Sequence, residues 1–156
     1  KYKHKARLDT VYRTAHNHSS KSCDACHARG ACAVTHTLAK CASTLVLAVA
    51  WTGTDRSKGD VHSVMDLALT GLKDAAACFD RNARAGPRHL VALVMFRGHH
   101  YTSFVRKGLA RRDGWEWHDR GSIVPLVDWA AVKARAEPSD GKGAMLPYLL
   151  VYDEAP

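Results

Sequence analysis

The sequence predicts an α+β domain: an antiparallel sheet with helices packed beside it. Three observations predict it. Strand-like runs outnumber helix-like ones, and most successive strand runs lie close enough to pair as hairpins. The segments of helical period fall outside the longest strand series, from His89 to Val127. With 156 residues and 46% hydrophobic side chains, the chain can bury one modest core.

In chain order, Lys1 to Lys5 is a basic leader. Leu8, Val11, Tyr12 and Ala15 then recur at i, i+3, i+4, i+7, one face of a helix that the polar run after Asn17 stops. A cysteine-rich segment follows, with Cys23, Cys26, Cys32, His36 and Cys41. A C-x2-C turn supplies two zinc ligands, and a structural site needs about four. Cys23, Cys26, Cys32 and Cys41 are therefore candidate ligands of a structural zinc. The alternative is a loop with a few buried thiols, which behave as small hydrophobes.

Leu45 to Trp51 is continuously apolar and predicts a strand covered on both faces. Thr52 to Gly59 is a polar turn region. Asp60 is the expected cap of a helix carrying Val61, Val64, Met65 and Ala68, which Gly71 closes. Lys73 to Ala77 reads as a short helical turn before Cys78, and Asp80 to Arg88 as a loop. His89 to Phe96 is a second apolar strand. Near the end, Ile123 to Val127 is a strand, Asp128 caps a helix from Trp129 to Ala136, and Glu137 to Gly143 is a surface loop. Met145 to Tyr152 is the last strand, and Pro147 near its start predicts an edge or a bulge. Leu47, Val49, Trp51, Leu93, Phe104, Trp115 and Leu149 are expected to share one core.

Between these lies the chemically informative pair of strands. Gly98 makes a tight turn into His100-Tyr101-Thr102-Ser103-Phe104, and the loop from Arg106 to Gly114 leads to Trp115-Glu116-Trp117-His118-Asp119. Setting His100 opposite Asp119 puts Thr102 against Trp117 and Phe104 against Trp115, a favoured aromatic neighbour pair. A slip of one residue would set His100 against His118 or Arg120, which is electrostatically worse. The preferred register delivers a histidine–carboxylate pair, in which the acid orients the imidazole and stabilises its charged form.

The order of an apolar strand, Gly98-His99-His100-Tyr101-Thr102-Ser103-Phe104, Trp115 four residues before Asp119, and the late strand Tyr148-Leu149-Leu150-Val151-Tyr152 resembles the C-terminal half of the ubiquitin-specific protease family. It is most similar to the divergent, often inactive branch of that family, and the likeness runs from about Leu45 to Tyr152. The resemblance implies a papain-like cysteine-peptidase fold, of which this chain is the antiparallel-sheet half with flanking helices. It implies His100 as general base, Asp119 as its orienter, and Gly98, His99 and Tyr101 beside the substrate. Residues 1–156 would then be a single partial domain, with a helix and Cys-rich segment over 1–42 and the sheet over 43–156. The implied partners are ubiquitin or a ubiquitinated protein, and the upstream half of the catalytic domain. No cofactor is required.

The family's nucleophile box has no counterpart here, and none of the five cysteines is a good substitute, so the chain alone is expected to be inert. Arg120 stands where the family often has a second carboxylate, and His118 where it has an aromatic residue. Both fit a relaxed site, with Arg120 expected to weaken His100 as a base. Two readings stand: half of a working deubiquitinase, or a pseudo-deubiquitinase serving as a binding or scaffold module.

Composition bounds the remaining classes. The formal charge is +8, with clusters at Lys1–Arg7 and Arg106–Arg112. A solvated face and a basic loop account for it. A basic zinc module for nucleic acid is the weaker alternative, because no nucleic-acid motif accompanies the charge. No run approaches the roughly 18 apolar residues of a membrane span. An odd cysteine count suggests a reduced, intracellular setting, cytoplasmic or nuclear. The chain opens at Lys1 with no signal peptide, and an upstream region is expected.

Overall fold

A computed structural model describes residues 7–17, 22–30, 37–51, 57–73, 75–78, 81–82, 86–108, 114–137 and 145–154. The leader, Cys32, His36 and the loop interiors 109–113 and 138–144 lie outside these residues. The helices are α1 (Leu8–Asn17), α2 (Lys58–Leu69) and α3 (Trp129–Ala136), with a 3-10 turn at Ala75–Cys78. The strands are β1 (Thr37–Leu38), β2 (Leu45–Ala48), β3 (Arg81–Asn82), β4 (Arg88–Arg97), β5 (His100–Arg106), β6 (Trp115–Asp119), β7 (Ser122–Leu126) and β8 (Leu146–Glu154). Strands β2-β8-β4-β5-β6-β7 form one sheet, antiparallel throughout. The α+β class is therefore present. The parallel pair β1–β3 was not foreseen.

Alternation along the strands decides which face is covered. Leu93 and Met95 of β4, Thr102 and Phe104 of β5, Trp115 and Trp117 of β6, and Leu150 and Tyr152 of β8 are buried. All of these but Thr102 form one hydrophobic core with Val61, Met65 and Ala68 of α2 and Val132 and Ala136 of α3. Each Val, Leu, Met or Phe side chain among them, taken fully from water, contributes about 1.5–3 kcal/mol. The Trp115 and Trp129 rings meet at 5.1 Å between centroids, fixing α3 against β6. The opposite face is more open, and Phe96, Tyr101 and Tyr148 form an aromatic cluster on it.

Tyr152 ties the sheet to α2. Its hydroxyl donates to the Ala68 carbonyl at 3.0 Å in the core. Burial, and secondarily the neighbouring Cys78, raise its pKa above the usual tyrosine value of 10.0. A raised phenol is neutral when folded, so its stability is whole below about pH 10 and is lost as pH climbs past the unfolded value. Tyr152→Phe should cost about 1–2 kcal/mol at neutral pH. It should also flatten the loss above pH 10, as read by denaturant titrations at several pH values.

Local chemistry explains the helix ends. Ser57, not Asp60, caps α2, and Asp60 sits at the third helical position in a reciprocal capping box. Ser57 Oγ accepts from the Asp60 amide at 3.1 Å while Asp60 Oδ2 accepts from the Ser57 amide at 3.0 Å. The Ser57 hydroxyl also donates to Asp60 Oδ2 at 2.7 Å, and this bond, with that from the Ser57 amide, holds the Asp60 carboxyl below its ordinary pKa. Gly71 closes α2 at φ 71°, where an added Cβ would meet the Arg88 carbonyl at 2.7 Å. Asp128 caps α3 as expected, accepting from the Ala131 amide at 2.8 Å.

One further expectation is corrected. Leu45 to Trp51 is not a strand covered on both faces: β2 lies at the sheet edge and Val46 is 53% exposed. A short apolar run cannot by itself distinguish an edge strand from a central one. Of the edge or bulge that Pro147 predicted, the bulge is present: β8 lies between β2 and β4, and its register with β4 shifts between Val94 and Met95, opposite Pro147. In the expected core, Leu47, Leu93, Phe104 and Trp115 are buried, whereas Val49, Trp51 and Leu149 are half-buried. Trp51 keeps its place by donating Nε1–H to the Pro147 carbonyl at 2.7 Å.

The hairpins β4–β5 and β6–β7 each close on two residues of positive φ: Gly98 (46°) with His99 (80°), and Arg120 (46°) with Gly121 (82°). This is the turn whose twist matches paired strands, and it favours Asn or Gly at both positions. Arg120→Asn should therefore stabilise the domain by roughly 0.5–1 kcal/mol, seen as a higher melting temperature.

Candidate active site

His100 is the first residue of β5 and Asp119 the last of β6, so both stand where the sheet meets its turns. Strands β5 and β6 pair as Ser103–His118, Phe104–Trp117, Val105–Glu116 and Arg106–Trp115. The expected register, with His100 opposite Asp119 and Phe104 opposite Trp115, is corrected by two residues. One step beyond Ser103–His118 places Thr102 opposite Asp119, making His100 and Asp119 diagonal neighbours. A two-residue slip preserves the face on which every side chain lies. Diagonal neighbours about 7–8 Å apart remain within reach of long side chains. Phe104 has an aromatic partner in either register, Trp115 or Trp117, so that pairing does not select between them.

The pair is closely engaged. His100 Nε2 lies 2.5 Å from Asp119 Oδ1. The two side chains are 30% and 21% exposed, so they are reachable from solvent yet largely enclosed. With Nε2 committed to the carboxylate, Nδ1 is the ring nitrogen left for a reacting group.

A cavity of about 200 Å³ opens over this pair. Thr102, Trp117 and Met145 line its apolar part, and the Thr102 hydroxyl contacts Met145 Sδ at 3.5 Å. Arg97, directly opposite His100 on β4, stands at one side. The end of α3 supplies Ala134, Arg135 and Glu137 at the other. The Arg135 guanidinium carbon lies over the Trp117 ring, 3.7 Å from its centroid. Glu137 is engaged by Lys58 Nζ at 2.6 Å and lies 3.3 Å from His62 Nε2, which joins the cavity wall to α2.

The remaining predicted site residues lie elsewhere. Gly98 and His99 form the exposed turn beside His100 without lining the cavity. Tyr101 is 52% exposed on the opposite sheet face, 4.9 Å from the Phe96 ring. Arg120 is an exposed turn residue, where water screens its charge. His118 faces Glu116 at 3.3 Å, away from the cavity.

Cys23 and Cys26 sit on a turn in which the His27 amide donates to the Cys23 carbonyl at 2.7 Å. Cys41 Sγ accepts from Arg88 at 3.6 Å, and Cys32 lies outside the described residues. Among the described residues, no three Cys, His, Asp or Glu side chains converge to hold a metal ion. No described cysteine lines the cavity.

Sequence reasoning missed Arg97, Arg135 and Glu137. Arg97 was findable, since a two-residue turn at Gly98-His99 sets it opposite His100. Nothing in the sequence signals that the end of α3 reaches this cavity. No protein-family model matches the chain, and no curated protein matches it.

Proposed function

We propose that this chain is the base-bearing half of a papain-like cysteine deubiquitinase, with His100 as general base and Asp119 as its orienter. The observation that carries this reading is the 2.5 Å His100–Asp119 contact inside a solvent-reachable cavity. A carboxylate holding one ring nitrogen fixes the imidazole's rotation and tautomer, and favours the imidazolium formed when the other nitrogen takes a proton. In the proposed reaction, Nδ1 of His100 accepts the proton of a cysteine thiol supplied from outside the described residues. The thiolate attacks the carbonyl at the ubiquitin C-terminus, and the imidazolium returns the proton to the departing amine. The resemblance set out above supplies the substrate class. Ubiquitin or a ubiquitinated protein is the proposed partner, and the setting is intracellular.

The pseudo-deubiquitinase reading is supported by Arg120 and His118, which stand where the family often has a second carboxylate and an aromatic residue. The chain alone should not turn over a ubiquitin C-terminal amide or ester. The deciding assay uses the protein with the segment proposed to bear the nucleophile, a ubiquitin C-terminal fluorogenic amide, and a thiol alkylator. Alkylator-sensitive release supports the enzyme. No release, with ubiquitin still bound, transfers the reading to a binding module.

A further inference from the structure

The cavity is lined by two carboxylates, Asp119 and Glu137, and two arginines, Arg97 and Arg135. Asp119 is matched by His100 at 2.5 Å, and Glu137 by Lys58 at 2.6 Å with His62 at 3.3 Å. Arg135 has no such match: among the described residues, no carboxylate stands within ion-pair distance of it. It is nevertheless held in place, since its guanidinium stacks on Trp117, itself only 8% exposed. A guanidinium stacked by its face keeps its edge N–H groups free, and those form the planar fork that matches a carboxylate.

Geometry brings this fork to the histidine. Trp117 and Asp119 alternate onto the same face of β6, two residues apart, which is about 7 Å along a strand. Arg135 above Trp117 and His100 beside Asp119 therefore border one space. At about 200 Å³ it has room for roughly six waters, enough for a carboxylate on a short backbone stem.

We propose that this cavity is a carboxylate-binding site anchored by Arg135. The ligand is an organic acid group, whether the C-terminus of a peptide or a small free acid. The site does not depend on the hydrolase reading: it requires the stacked arginine and the cavity, not a thiol.

The test is a titration of the chain with acetylglycine, acetylglycinamide and acetate, followed by NMR signals of the Arg135 side-chain N–H and the Trp117 indole. Acetylglycine should give saturable shifts with a dissociation constant on the order of 1 mM, and the amide should bind at least tenfold more weakly. Acetate matching acetylglycine assigns the site to small acids generally; acetate failing assigns it to a chain terminus. Arg135→Gln should weaken acetylglycine at least tenfold without lowering the melting temperature, because Arg135 is exposed on α3. Arg135→Lys should fall between, having charge without the fork. Equal binding of acid and amide, an unaffected Arg135→Gln, or no saturable shift at tens of millimolar overturns the proposal. Loss of hydrolysis in His100→Ala with acetylglycine binding intact would separate this site from the reaction.

Discussion

His100→Ala is expected to cut alkylator-sensitive hydrolysis of a ubiquitin C-terminal amide by about 10²–10⁴-fold, the usual contribution of a positioned general base. That corresponds to roughly 3–5 kcal/mol of barrier. The measurement is kcat/KM for the protein completed by its nucleophile, beside the melting temperature of the same variant. Only the first should move, because His100 is partly exposed at a strand end. Asp119→Asn should be mild, since an amide oxygen can still accept from Nε2. Asp119→Ala should be more costly, since the ring loses its 2.5 Å partner. A His100→Ala enzyme of undiminished rate would remove the base role altogether.

The second large effect is on stability and centres on Arg88. This arginine is 2% exposed, far deeper than arginines ordinarily lie. Its guanidinium donates to the carbonyls of Gly86 at 3.2 Å, Pro87 at 3.3 Å and Ala42 at 3.1 Å, and pairs with Glu154 at 2.6 Å. One side chain thus joins the segment before β2, the entry to β4 and the end of β8. Arg88→Met removes the donors that these carbonyls face and should cost about 3 kcal/mol. For a chain of this size the melting temperature should drop by roughly 6–12 °C. Glu154→Gln should cost under about 1 kcal/mol, because Glu154 is more than half exposed and water screens it. Equal losses in the two variants would mean that the ion pair, not the backbone bonds, holds this corner.

The contrast between Arg88 and His100 shows what the sequence could reveal. His100 and Asp119 were legible because strand alternation is a local property: parity survives a two-residue register error, so the same side chains meet. Arg88 reads as the end of a loop, since nothing near it in sequence announces that Ala42 and Glu154 converge there. Asp60 was legible as a helix-start residue, but not its reciprocal bond to Ser57, because either oxygen-bearing side chain can cap. Pro147 signalled a disruption in β8, yet its place between β2 and β4 depends on strand order, which hydropathy does not encode. Arg135 was the least visible, for its role depends on how α3 lies across β6.

The antiparallel meander from β4 through β7 also bears on how the molecule comes to exist. Each strand pairs with the next one made, and two of the three links are two-residue turns. Loop closure across so few residues costs little entropy, and hairpins form within microseconds. The chain distances that are slow to close are those that bring β8 and β2 alongside. His100 and Asp119 face each other across the third and longer link, between Arg106 and Trp115, so the pair joins successive strands and its contact includes neither β8 nor β2.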